Sequence, residues 1–378
     1  MRANTIPHGP SLRNRYDAEM ECEMEKFCLM SPEPMPPTFR FVDLFAGVGG
    51  IRLGLEAAGG DCVFSSEWDK YAQKTYEANF GHVPAGDITK IEAASIPTFD
   101  VLAAGFPCQP FSSMGRREGF EHPTQGTLFY DVVRILKHHK PRAFLLENVA
   151  GLATHDSGNT LRVIEDSLLA LGYDLWPKRL DAADFGVPQF RKRIYIVGLQ
   201  VQGESRKPLV FRPKNEAESL WAESDAGRRF VFPTAQGKRV GIGQFLETGV
   251  VGHGVSKHLQ DVYLFKHADG KPEIVDGTSD FPAKTLVASY HKIQRLTGTF
   301  VRDGDTGVRL LTALECKKIM GFPASFQIPV SRTQMYRQMG NSVAVPVVQA
   351  IAKQIQIALQ HTGDSRVGRA SFTTSAVG

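Results

Sequence analysis

A doubly wound, Rossmann-like α/β sheet with helices on both faces is the fold this sequence predicts, on three observations. Apolar runs of strand length alternate with amphipathic stretches from Phe39 to about Gln200. The first run closes in a glycine-rich turn, Asp43-Leu-Phe-Ala-Gly-Val-Gly-Gly. A later run, Asp100 to Ala104, leaves through Gly-Phe-Pro-Cys-Gln-Pro-Phe-Ser, as a buried strand does on reaching a polar turn. Such alternation argues for parallel strands covered on both sides, and ligands bind beyond the carboxyl ends of strands in such sheets.

The elements follow in order. Residues 1–37 are rich in Pro, Met and Glu and end in Ser31-Pro-Glu-Pro-Met-Pro-Pro, the composition of a flexible extension that holds at most one short helix around 17–28. Strands are expected at 39–45, 62–67, 100–104, 143–147 and 193–198, where apolar residues run on without a helical period. Helices fit between them at 50–58, 69–79, 128–140 and 160–171. From 201 to 305 short apolar runs, 209–211, 230–232 and 285–287, stand among Gly, Pro, Lys and His, which suggests a smaller domain of strands and loops. Helices near 312–320 and 343–359 return to the first pattern. Residues 306–361 are therefore expected to complete the large domain of 38–200, and 362–378 reads as a disordered tail.

With 378 residues and 42% hydrophobic content the chain can bury a full-sized core. No run approaches the roughly 18 to 20 apolar residues that span a bilayer, and the amino terminus lacks an apolar signal core, so the expected compartment is the cytosol, without a membrane. The five cysteines are odd in number and irregular in spacing, which fits neither a disulfide framework nor a zinc site. A net charge of +4 is compatible with nucleic-acid binding without demanding it.

Three clusters carry chemistry. Cys108 is the candidate nucleophile: a lone thiol is more often inert core, but Pro107 and Pro110 set the backbone here, and Gln109, Ser112 and Ser113 make the turn polar. Gly47, Gly49 and Gly50 permit a sharp turn and close approach to a ligand, although a tight turn with no ligand would use the same glycines. About twenty residues on, Glu67 can accept both hydroxyls of a ribose, Trp68 can stack on adenine, and Asp87-Ile88 can hold its edge and face. The ligand is thus an adenosine compound. Spacing alone does not separate a dinucleotide from S-adenosylmethionine, though Gly-x-Gly-Gly departs from the Gly-x-Gly-x-x-Gly pyrophosphate fingerprint. Glu147 ends another buried strand at the edge that carries Cys108, which suggests an acid beside a nucleophile rather than a structural carboxylate. Arg191 and Arg193 stand two apart at a strand start and face one side. They read either as a solvated basic turn or as forks for carbonyl and phosphate oxygens.

Taken together these motifs resemble, in order, those of DNA cytosine carbon-5 methyltransferases of the bacterial restriction-modification type. Asp43 to Gly50, Glu67-Trp68, Asp87-Ile88, Gly105-Phe-Pro-Cys-Gln, Glu147-Asn-Val, Gln189-x-Arg-x-Arg, Arg309-Leu-Leu-Thr and Gly340-Asn-Ser-Val all match. The resemblance covers about 39–360 except 201–305. It departs at Glu121-His-Pro-Thr-Gln-Gly-Thr-Leu-Phe, where many relatives have Asp and Arg in place of His122 or Gln125.

The resemblance implies a Rossmann-like S-adenosylmethionine-dependent methyltransferase domain with a target-recognition domain at 201–305. Cys108 would attack carbon 6 of a cytosine flipped out of double-stranded DNA. Glu147 would bind ring nitrogen 3 and the exocyclic amine, Arg193 the base's carbonyl oxygen, and Arg191 would steady the site. Phe45, Gly47, Gly49, Gly50, Glu67, Trp68, Asp87, Ile88, Pro107, Leu128, Asn341, Ser342 and Val343 would line the cofactor pocket. The loop 112–126 would close over the base, with Gly115, Gly119 and Gly126 as hinges. Gln109, Ser112, Gln189, Arg228, Arg229, Lys292 and Arg295 are the expected DNA contacts, with Lys257 and His258 as further candidates. A monomer is expected, with a cognate restriction endonuclease as its companion. Two competing readings share these motifs: a transfer-RNA cytosine methyltransferase, and an inactive DNA-binding relative, which intact Cys108, Glu147 and Arg193 argue against. A dehydrogenase would leave the Pro-Cys turn and the paired arginines unexplained.

Overall fold

The computed structural model describes residues 37–107, 128–201, 208–211, 230–235 and 237–360, with helical backbone continuing to 367. Cys108, Gln109, Ser112, Arg228 and Arg229, and the loop 112–126, lie outside the described residues, as does the extension before Pro37. The strands β1 (Phe39–Leu44), β2 (Gly60–Ser66), β3 (Val101–Gly105), β4 (Ala143–Val149), β5 (Tyr173–Asp181) and β6 (Lys192–Gln200) form one sheet. Its order is β2-β1-β3-β4-β6-β5. The first four are parallel, and β6 runs antiparallel to both its neighbours. The residues of β3 up to Ala104 and of β4 up to Leu146 are all buried, so both faces of these strands are covered, which is why the segments read as continuous apolar runs.

Helices α1 (Gly50–Glu56), α2 (Lys70–Phe80), α3 (Phe129–His139) and α4 (Asn159–Ala170) follow their strands as the alternation predicts. Asp69 starts α2 by accepting the Tyr71 and Ala72 N–H groups, and Gly81 ends it in the left-handed region. One face of the sheet carries the core of Val132, Leu136, Ile164 and Leu168 from α3 and α4. The other carries Ile51 and Leu55 of α1 against Val347, Val348, Ile351 and Ile355 of a long carboxy-terminal helix, α7. That helix spans Val345–Val367 and runs into the segment expected to fray. The run Arg332–Gln360 is long and apolar enough to pass for a membrane span, yet over half of it is buried inside the protein, as befits a core helix.

Two features depart from expectation. Strand β5 was not foreseen, because Pro177 interrupts it. Its place at the end of the sheet is where proline is tolerated. The region 201–305 holds little strand: among the described residues only the short parallel pair β7 (Glu273–Val275) and β8 (Thr299–Val301) forms. Instead Ile242, Val255, Leu264, Tyr290 and Phe300 pack with Cys316, Met320, Met335 and Met339 into a second core. The last four come from or flank α5 (Ala313–Lys318) and α6 (Arg332–Asn341). Phe211, Phe230 and Phe232, by contrast, pack on the large sheet around Trp176.

After β1 the chain pairs β2 on one side and then places β3 on the other. The carboxyl ends of β1 and β3 therefore flank the point where the winding reverses, the crevice in which such sheets bind ligands. The glycine turn and the Pro107 exit both open there.

Candidate active site

The turn after β1 is built around strained backbone. Phe45 sits at φ 57° and Gly47 at φ 55°, and an added Cβ on Gly47 would meet nothing within 4 Å. The loop thus presents an open flank. Glu67 holds the turn from the next strand: the Gly47 N–H donates to its Oε2 (2.8 Å) and the Asp69 N–H to its Oε1 (2.7 Å). Burial raises the Glu67 pKa, and those backbone donors pull it back. Beside it Trp68 is 76% exposed, a large aromatic face left open among the described residues. Asp87 caps the short turn that buries Ile88, and its bonds to Thr89 lower its pKa. The far end of the chain closes the other side: a Cβ on Gly50 would lie 2.6 Å from Ser342 Oγ, so only glycine admits Ser342 and Val343 here. Asn341 is exposed beside them, and Pro107 and Leu128 border the segment outside the described residues. The residues fit an adenosine with a diol, an aromatic face and a charged tail over the open turn.

Asp43, at the end of β1, is fully buried, and among the described residues neither of its oxygens has a hydrogen-bond partner of good geometry. Burial pushes its pKa up to about 8, against the opposing pull of Arg52. The folded protein therefore holds a proton that the unfolded chain releases above its ordinary carboxylate range. Stability is expected to fall as pH rises from about 4 to about 8, by an amount on the order of 5 kcal/mol before relaxation. In Asp43→Asn, which cannot ionise, melting temperatures recorded across that window are expected to lose this slope. A slope unchanged in the variant would remove Asp43 as its source.

At the neighbouring strand ends, Glu147 and Arg193 meet. Arg193 Nε lies 3.1 Å from Glu147 Oε1, and both side chains keep only about an eighth of their surface, 14% and 12%. Burial raises the Glu147 pKa, and Arg193 and Arg191 lower it in part. A Cβ on Gly105 would stand 3.6 Å from Glu147 Oε2, so the carboxyl lies against the end of β3, three residues before Cys108. Asn148, to which the sequence reading gave no role, fixes that exit. Its buried Nδ2 donates to the Phe106 carbonyl (2.9 Å), and its Oδ1 accepts the Val149 N–H (2.8 Å). Asn148→Ala is expected to leave the Phe106 carbonyl unpaired, destabilising the fold by about 1–3 kcal/mol. It should also lower kcat more than it raises KM, since the residue orients the turn and not the substrate. Denaturation and steady-state methylation together check this.

Two expected DNA contacts are turned inward. Gln189, expected at DNA, is fully buried. Its Nε2 donates to the Ile319 carbonyl (2.8 Å) and its Oε1 accepts the Leu286 N–H (2.7 Å), because a segment lacking ladder partners must satisfy its polar groups through side chains. Arg295, also expected at DNA, is turned inward. It forms a bidentate pair with Asp269 and donates to the Leu264 (2.8 Å), His267 (3.3 Å) and Lys271 (3.1 Å) carbonyls, tying two loops together. Arg191, expected to steady the site, stands two residues before Arg193. It is buried and bound to main-chain carbonyls, and burial lowers its pKa to about 9, which leaves it a cation at neutral pH. Lys257, His258 and Lys292 are exposed. The Arg309-Leu-Leu-Thr motif is likewise structural: Arg309 is buried in a bidentate pair with Glu315 (2.9 Å on both arms), which closes the capping box of α5.

Residues 39–357 match the family model of the C-5 cytosine-specific DNA methylases. The chain is 55% identical to the Type II methyltransferase M.MspI of a Moraxella species over 322 residues, 85% of this chain and 71% of that protein. It is 40% identical to the Type II methyltransferase M.HhaI of Haemophilus parahaemolyticus, over 84% of this chain and 94% of the relative. Among solved structures, a Spodoptera frugiperda DNMT2 superposes with a TM-score of 0.63 over 85% of this chain and 99% of its own, at 21% identity, a likeness of fold.

Proposed function

The chain belongs to the family of C-5 cytosine-specific DNA methylases, and from that premise we propose how its own residues carry the reaction. It is a DNA cytosine C5 methyltransferase. S-adenosylmethionine, when bound, supplies the methyl group as an electrophilic sulfonium. Phe45, Gly47, Gly49, Gly50, Glu67, Trp68, Asp87, Ile88, Pro107, Leu128, Asn341, Ser342 and Val343 would hold it, a reading supported by the open turn, the pinned Glu67 carboxylate and the bare Trp68 ring. The Cys108 sulfur, as thiolate, forms a bond to carbon 6 of the flipped cytosine, and the electrons of the 5,6 double bond move to carbon 5. Glu147 hydrogen-bonds ring nitrogen 3 and stabilises the charge that arrives there, while Arg193 holds the carbonyl oxygen and the Glu147 carboxyl together. Once carbon 5 carries the methyl group, loss of its proton and cleavage of the sulfur–carbon 6 bond restore the double bond and free Cys108.

The observation that carries this reading is the buried Glu147–Arg193 pair against the end of the strand that leads into Cys108. The recognition of double-stranded DNA is assigned to the region 201–305, with exposed Lys257, His258 and Lys292 among its cations. Similarity to Type II methyltransferases supports a restriction-modification role; a cognate endonuclease as companion, a monomeric state and a place in the bacterial cytosol belong to the same proposal. The test is methylation of unmethylated genomic DNA with labelled S-adenosylmethionine, read by base-resolution sequencing for 5-methylcytosine. Modification confined to one short motif is expected. Methylation of transfer RNA with none of duplex DNA would overturn the reading.

A further inference from the structure

We propose that Arg191 is a positioning residue that couples cofactor binding to DNA binding, by fastening the recognition segment and the cofactor segment to one guanidinium beside the catalytic edge. The proposal rests on the assignment of both ligands above. Nη1 of Arg191 donates to the Leu286 carbonyl (2.9 Å), at the head of the segment that leads to Lys292. Nη2 donates to the carbonyls of Gly340 (2.9 Å) and Ser342, which flank Asn341 in the cofactor segment. The main chain of the same residue is held by Asp181, whose Oδ1 accepts its N–H (2.9 Å), and two residues on Arg193 meets Glu147.

The surrounding bonds repeat the connection. Ala283 and residues Pro188 and Phe190 exchange main-chain bonds of 2.9 and 2.8 Å. Gln189 binds the Leu286 N–H on one side and the Ile319 carbonyl on the other. The next carbonyl, that of Met320, accepts the Val345 N–H (3.0 Å) just past the cofactor segment. A planar guanidinium fixes its acceptors in one geometry, and a buried N–H left without an acceptor is costly. Movement of either segment alone therefore strands the donor that faces it, unless the guanidinium follows and gives up its bonds to the other segment. A ligand that holds one segment in place favours the arrangement the second ligand needs, and such coupling is reciprocal.

The experiment is calorimetric binding of S-adenosylhomocysteine with and without a duplex carrying the mapped methylation motif. In the unaltered protein the duplex is expected to tighten cofactor binding about fivefold or more, the lower end of typical coupling. In Arg191→Lys, which keeps the charge but not the fork, that ratio is expected to fall to about one. General loosening of the fold weakens binding in both arms alike and leaves the ratio unchanged, so the ratio separates coupling from mere stability. Gln189→Met, which removes the side-chain oxygen that accepts the Leu286 N–H, is expected to lower the ratio in the same direction and serves if Arg191→Lys does not fold. A ratio of one in the unaltered protein, or an undiminished ratio in a folded variant, overturns the proposal. Failure to methylate DNA at all would instead strike the functional assignment.

Discussion

Cys108→Ala is expected to lose methyl transfer by roughly 10^4- to 10^6-fold, the scale on which enzymes fail when the nucleophile of a covalent mechanism is removed. Carbon 5 of cytosine is a poor nucleophile until a bond at carbon 6 delivers the ring's π electrons to it, so no neighbouring group can substitute for the sulfur. Cofactor binding is expected to survive, because the ribose and adenine positions depend on the turn after β1, Glu67 and Trp68, and none of these bonds involves Cys108. A trap separates the two effects. On DNA carrying 5-fluorocytosine the proton that must leave carbon 5 is replaced by fluorine, so elimination stops and the protein stays bonded to DNA. The unaltered chain is expected to form this adduct and Cys108→Ala to form none, while both bind S-adenosylhomocysteine. Adduct formation by the variant would remove Cys108 from the mechanism.

Much of this site was legible because its members lie where apolar runs stop. Glu147 and the turn before Cys108 stand where the buried runs of β4 and β3 give out, and Glu67 follows a strand, β2, that is buried only at its last two residues; a polar residue at such a point faces the ligand crevice by geometry alone. Residues whose partners lie far along the chain were harder. Gln189, between β5 and β6, and Arg295, in the region 201–305, look in sequence like any polar or cationic residue that could meet DNA. Whether each turns outward depends on Leu286 and Ile319 in one case and on Asp269 in the other, partners far along the chain. The direction of β6 was hidden for a related reason. Only eleven positions separate Asp181 from Lys192, too few for a helical crossover, so the pair must be antiparallel, but that inference needs β5, which Pro177 masked. Asn148 left no signal of its own: its role exists only because β4 lies beside β3.

Glu147→Gln is expected to lower kcat by about 10^2- to 10^4-fold, the range general acid catalysis supplies, with a smaller effect on DNA affinity. Gln keeps the shape and can still donate a hydrogen bond to ring nitrogen 3, but it cannot hand over a proton as charge develops there. The pH profile gives the sharper test. The reaction needs the Cys108 thiol deprotonated and the Glu147 carboxyl protonated, so activity rises with pH on one limb and declines on the other. Burial raises the Glu147 pKa, which carries its protonated form further toward neutrality, while the Arg193 contact at 3.1 Å limits that rise. Activity is therefore lost as pH climbs through the folded value, and the decline belongs to this carboxyl. In Glu147→Gln the alkaline decline is expected to vanish, leaving a rate that is low but climbs to a plateau. Arg193→Lys supplies the complementary case. A single ammonium cannot hold both the carboxyl and a carbonyl oxygen in one plane, so the decline is expected to remain and to shift. If instead Glu147→Gln keeps the full bell, the proton moves through another group and the buried pair serves only to shape the pocket.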